Sequence, residues 1–190
     1  SVTSGIVSAK AGTATIVSNW RSPKVGLSSG DYVQVDAGST SLTVSINGVV
    51  QPSTTSTLEA GGDYTMLVYG TAAAPTTALI ADDNRVPNVS SRAKIRVVNG
   101  LTGTATIAGL VSGSSNASTK EAASGQASEY ASVLASGTTK IEAISSDAFD
   151  PIFSETVSVS GTSLLAAQGV YTIFILDGQT TPVGRLTKDR

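Results

Sequence analysis

The chain has 190 residues, of which 14% are charged, with a net charge of −2 and an isoelectric point near 5.0. That balance leaves no broad positive field for phosphates, and nucleic acid is set aside as a partner. With neither Cys nor His, disulfides, thiolate nucleophiles, imidazole bases and the usual zinc and copper ligand sets are excluded together, so no cofactor and no metal is expected.

The length admits one large domain or two small ones. Turn-forming residues are spread along the whole chain, which suits many short strands. In chain order, strands are predicted near Ile6–Ser8 and over Thr13–Ser18, followed by a loop carrying Trp20, Arg21, Pro23 and Lys24. Tyr32–Val35 reads as a strand, and Ser41–Ile46 alternates strictly up to Asn47-Gly48, a strong two-residue hairpin signal. Val49-Val50 begins the return strand. Thr57-Leu58 then leads through the Gly61-Gly62 corner into a strand over Tyr64–Tyr69. There Tyr64, Met66 and Val68 share one face, and Thr65, Leu67 and Tyr69 the other. Both faces are largely apolar, which predicts a central position in a sheet.

Residues 82–88 are polar and contain Pro87, which a central strand would not tolerate, so a domain boundary is placed there. A second series of strands opens at Lys94–Val98 with a turn at Asn99-Gly100. In Lys94-Ile95-Arg96-Val97 the alternation predicts that the two basic side chains lie on one solvated face. Ser112–Ser128, rich in Ser, Ala and Gly, reads as a long mobile loop, with a short helix over Thr119–Ala123 as the alternative. Strands over Tyr130–Leu134, Lys140–Ile144, Phe153–Val159, Tyr171–Leu176 and Val183–Leu186 complete the series.

The two halves echo one another. Gly12-Thr13-Ala14-Thr15-Ile16 returns as Gly103-Thr104-Ala105-Thr106-Ile107, Asp31-Tyr32 aligns with Glu129-Tyr130, and Leu58, Gly62, Tyr64 and Thr65 align with Leu165, Gly169, Tyr171 and Thr172. The expected fold is all-β: two tandem immunoglobulin- or fibronectin-like β-sandwich modules of about seven strands each. Residues 1–86 form the first, 87–92 a linker and 93–190 the second. In such sandwiches a Tyr that opens a strand after a tight corner returns its hydroxyl to an upstream backbone group. Tyr64 and Tyr171 are assigned that structural role, with Gly62 and Gly169 giving the bend.

Arg96-Val97-Val98-Asn99, Tyr130 ahead of the Ala135-Ser136-Gly137-Thr138 turn, and the Leu-x-Ala-x-Gly-x-Tyr-Thr block resemble the domain-of-unknown-function family 4397. The resemblance extends over nearly the whole chain as two copies. It implies tandem β-sandwich modules of bacterial exported and cell-envelope proteins, and it brings no catalytic residues to carry over.

Among sequence candidates for chemistry, Ser91-x-x-Lys94 lacks the companion motifs of serine acyl-transfer enzymes. Asp82-Asp83 and Asp147 with Asp150 could supply calcium ligands or an acid/base pair, but lack the dense acidic spacing of a dedicated loop. No catalytic residue is expected, and the chain is read as not an enzyme. Trp20 could stack on a sugar ring with Arg21 and Lys24 beside it, giving a carbohydrate-binding or adhesive module as the alternative to a structural or interaction module. The expected partner is another cell-envelope protein or a surface glycan. No apolar run approaches membrane-spanning length, the longest being Tyr171–Leu176. The chain starts at Ser1 without a Met, so a leader or lipid anchor is expected to have been removed, and the setting is expected to be periplasmic, secreted or cell-surface.

Overall fold

The computed structural model describes residues 5–22, 32–103, 105–112, 117–147, 151–157 and 161–190. The fold is all-β, built of packed sheets with fifteen strands among the described residues. Sheet I joins β1 (Gly5–Ala11), β2 (Ala14–Ser22), β3 (Gly38–Ile46), β4 (Val49–Val50) and β5 (Thr54–Leu58), in the order β2-β1-β3-β4 with β5 also on β3. Sheet II is the hairpin β6 (Asp63–Gly70) and β7 (Pro75–Asp82). Sheet III carries β8 (Arg92–Gly100), β10 (Gln126–Ala127), β11 (Ala131–Leu134), β14 (Val170–Leu176) and β15 (Val183–Lys188). Sheet IV joins β9 (Ile107–Val111), β12 (Lys140–Ser145) and β13 (Pro151–Thr156).

Strand alternation stacks these sheets in four layers. Met66 and Val68 of β6 pack with Ala9, Val44 and Ile46 of sheet I. The opposite face of the same hairpin, with Leu67, Tyr69, Ala78 and Ile80, packs on Val98, Phe174 and Leu176 of sheet III. Sheet III then turns Ile95, Val97, Ile173 and Ile175 toward Ile107, Ile141 and Ala143 of sheet IV, forming the largest apolar core. Because β14 has a sheet or hairpin on both faces, all seven of its residues are buried.

Strand β6 is therefore not central in a sheet. Among the described residues it pairs with β7 alone, from Asp63↔Asp82 to Gly70↔Pro75. Its two apolar faces reflect a middle layer covered above and below. Nor is the basic face of β8 solvated: Arg96 is 2% exposed and the Lys94 side chain 13%, because that face lies against hairpin β6–β7. Asn99 and Gly100 continue β8 instead of turning; the Asn99 amide donates to Ala105 and Ala122 carbonyls.

The GTATI stretches do not occupy equivalent places. In the first half, Gly12 and Thr13 turn between β1 and β2, and it is β1 that pairs with β3, from Val7↔Ile46 to Ala11↔Leu42. In the second half the stretch leads into β9, and β9 pairs with β12 from Ile107↔Ser145 to Val111↔Ile141. Hairpins β6–β7 and β14–β15, by contrast, share one register: Tyr64↔Ala81 and Tyr69↔Thr76 correspond to Tyr171↔Lys188 and Leu176↔Val183, each residue displaced by 107 positions.

The stretch between β9 and β11 is held along the sheets over its described residues, 117–128. Gly109 and Val97 donate their backbone N–H groups to the hydroxyls of Thr119 (2.9 Å) and Ser128 (3.0 Å), and Ala122 bridges Ile107. Its small residues pack closely against the strands, and no helix forms over Thr119–Ala123.

Candidate functional site

Both corner tyrosines accept a backbone N–H from five residues upstream. Tyr64 Oη receives Glu59 N–H at 2.9 Å and Tyr171 Oη receives Ala166 N–H at 2.7 Å. The bend itself falls one residue before the predicted glycines, at Gly61 (φ +75°) and Gln168 (φ +60°). Gly62 and Gly169 instead make room for the rings: a Cβ there would lie 2.9 Å from Tyr64 Cε2 and 2.4 Å from Tyr171 Cε2 respectively. The corner fixes where β6 and β14 begin, and hence where the polar groups at Thr65 and Thr172 fall.

Those two threonines open a polar joint between the layers. Asp82, at the end of β7, accepts the Thr65 hydroxyl at 2.8 Å and the Tyr32 hydroxyl at 3.1 Å, and forms a salt bridge with Arg96. The side chains of this ion pair are 3% and 1% exposed. Arg96 also donates to Thr172 Oγ1 at 3.0 Å and to the Ala81 carbonyl at 3.1 Å, so its planar fork links β8, β14 and β7. Asp189, just after β15, repeats the role of Asp82: it accepts Thr172 Oγ1 at 2.6 Å and Tyr130 Oη at 3.3 Å. The Lys94 ammonium and the Arg96 guanidinium each lie 4.7 Å from the centre of the Tyr130 ring.

Electrostatics follow from this burial. Loss of water around Asp189 raises its carboxyl above the ordinary range, although Thr172, Arg96 and Tyr130 pull the other way. Burial likewise raises the Tyr130 phenol, and withdrawal of the Tyr32 hydroxyl from water takes it to about 12. Asp83 points outward: its bonds with Arg85 and Lys94 hold its carboxyl well below the usual range. Lys94 Nζ also donates to the Asp83 carbonyl at 2.7 Å, so the Ser91-x-x-Lys94 amine is engaged in structure. Asp82 and Asp83 face different partners and do not converge on a common cavity. Among the described residues no group of three acidic side chains is placed to hold a metal ion; Asp150 lies outside the described residues.

Trp20 and Arg21 stand on strand β2 and not in a loop, paired with Val7 and Ile6. A register shift between Val7 and Ala9 and a positive φ of 55° at Asn19, whose N–H bonds Ser8 Oγ at 2.9 Å, let the strand continue past the bulge to Ser22. Lys24 lies outside the described residues. Trp20, half-buried, lines a groove of about 740 Å³ between sheet I and β6, together with Arg21, Tyr32, Val35, Met66 and Val68. The groove and the polar joint meet at Tyr32 and Asp189.

Residues 26–108 match the domain of unknown function DUF4397. The match is one continuous copy, where the sequence resemblance implied two. It runs from before β3 through hairpin β6–β7 to the start of β9, crossing the 87–92 stretch assigned as a linker. The DUF4397 segment thus contains Asp82 and Arg96 and the whole of sheet II. No curated protein matches the chain. The Asp82–Arg96 pair and Asp189 escaped the sequence reading. Their signal was the 107-residue offset, which continues beyond Tyr64 and Tyr171 through Pro75 and Pro182 and through Leu79 and Leu186 to Asp82 and Asp189.

Proposed function

We propose that this chain is a non-enzymatic structural or interaction module of a bacterial exported or cell-envelope protein, composed of two tandem β-sandwich modules. The matching registers of β6–β7 and β14–β15 and the twin Tyr–Thr–Asp sets, Tyr32/Thr65/Asp82 and Tyr130/Thr172/Asp189, support the tandem reading.

One observation carries the structural role. The side chains of Arg96, Asp82, Thr172 and Asp189 are partnered with one another or with neighbouring strands, and Arg96 by itself ties β7, β8 and β14. Such a joint resists separation of the layers. Fractionation of the native cells, probed with an antibody to this chain, tests the setting. Recovery in the periplasm, envelope or medium is expected; recovery in the cytosol would overturn it.

The second reading, a carbohydrate-binding or adhesive module, draws on Trp20 and Arg21 at the groove, where Glu59, Asp63 and Asp36 add acceptors for sugar hydroxyls. A glycan array separates the two: a blank array supports the first reading, whereas binding that is lost in Trp20→Ala establishes the second.

A further inference from the structure

Strands β6 and β14 begin at equivalent corners and pair with their hairpin partners in the same register, yet their other edges differ. Beside β14 lies β8, running parallel from Val170↔Lys94 to Leu176↔Gly100 and turning Ala93, Ile95 and Val97 into the core. Beside β6, among the described residues, no strand is paired.

Burial registers this difference position by position. Ile173 and Ile175 are 0% exposed, whereas Met66 and Val68, the residues 107 positions earlier, are only partly buried. On the far side of β8 lies β11, preceded by Tyr130. The corresponding stretch in the first half, residues 32–36, carries no strand pairing, and Tyr32 and Val33 are 45% and 37% exposed. The groove of about 740 Å³ lies along β6 between these edges, and its walls include Val33, Val35, Met66 and Val68.

We propose that this groove is a strand-acceptor site, which takes an extended peptide segment running parallel to β6 as β8 runs beside β14. The site thereby assigns a partner class to the interaction module proposed above, and it rests on that reading. Main-chain hydrogen bonds to the open edge of β6 supply affinity, and alternate side chains supply specificity. Inward positions take Ala, Ile or Val, the set that fills the equivalent space at 93, 95 and 97. The alternate positions favour Lys or Arg, because Tyr32 is 45% exposed where the Tyr130 ring is covered by Lys94 and Arg96.

The test uses the intact chain and a nine-residue synthetic peptide with the sequence of Arg92–Gly100. Titration is followed by calorimetry, and hydrogen exchange is measured with and without peptide. Saturable binding is expected, with exchange of the β6 edge amides slowed by about tenfold or more and with affinity lowered by about tenfold or more when the peptide carries Ile95→Asp and Val97→Asp. Absence of binding up to about 1 mM peptide, equal binding of the substituted peptide, or protection that spares β6 would overturn the proposal. Sedimentation of the free chain adds a second arm. A concentration-dependent dimer that the peptide does not dissociate would put another copy in the groove and overturn it as well. Failure of the peptide with the chain still recovered outside the cytosol removes the acceptor site alone, whereas a cytosolic chain removes the module reading itself.

Discussion

Arg96 on β8 closes a buried ion pair with Asp82 at the end of β7, joining a residue on one side of the 87–92 stretch to a residue on the other. Both side chains are withdrawn from water, so each depends on its partner for solvation.

Removal of one partner is therefore costly. Arg96→Met or Asp82→Leu alone is expected to destabilise the chain by about 3–5 kcal/mol, because an uncompensated charge is left buried. The Arg96→Met/Asp82→Leu double variant is expected to recover much of that loss. Urea unfolding of the four proteins forms a double-mutant cycle, and additive single effects would contradict a direct coupling.

The corners make a second, independent prediction. Tyr64→Phe and Tyr171→Phe each strand one backbone N–H and should cost about 1 kcal/mol in thermal or urea unfolding. Gly169→Ala should cost more than Gly62→Ala, since its Cβ would meet a ring carbon at 2.4 Å as against 2.9 Å and Tyr171 is the more deeply buried ring. Equal tolerance of Ala at both positions would show that the rings do not rely on these glycines.

Asp189 sets a pH dependence. Its carboxyl is raised in the fold by burial, so the folded state holds the proton more tightly than the unfolded chain, whose ordinary value is near 3.8. Stability from this group is fully present below 3.8 and is lost as pH rises through the raised folded value. Asp83 works in the opposite direction at lower pH, because its carboxyl is depressed. The comparison of wild type with Asp189→Asn cancels that contribution. As pH rises above 3.8 the wild type should lose stability relative to the variant in urea melts; parallel pH profiles would show that Asp189 ionises freely.

How much of this was legible in the sequence depended on whether a pattern reports a face or a partner. Alternation along β6 separated Tyr64, Met66 and Val68 from Thr65, Leu67 and Tyr69 correctly, and the tyrosine that follows a tight bend located both corners. Two apolar faces say that a strand is covered above and below, however, and nothing about its hydrogen-bonding edges. A middle-layer hairpin and a central strand therefore carry the same pattern of faces. Lys94 and Arg96 differ from expectation for a related reason: alternation puts them on one face, but what covers that face comes from another element, the hairpin β6–β7, which the alternation of β8 does not report. Trp20 lies on β2 where a loop is expected, because a bulge at Asn19 breaks the period without ending the strand. The short GTATI identity proved weaker than the longer 107-residue correspondence, which keeps register over an entire hairpin.

The polar joint and the hairpin between sheets I and III are expected to make the four layers one cooperative body. Equilibrium unfolding in urea tests it most directly, with Trp20 emission reporting on sheet I and far-UV circular dichroism on all strands. Coincident transitions are expected in the wild type and separated ones in Arg96→Met. A wild-type Trp20 transition that precedes the loss of dichroism, leaving the second half of the chain folded, would contradict it.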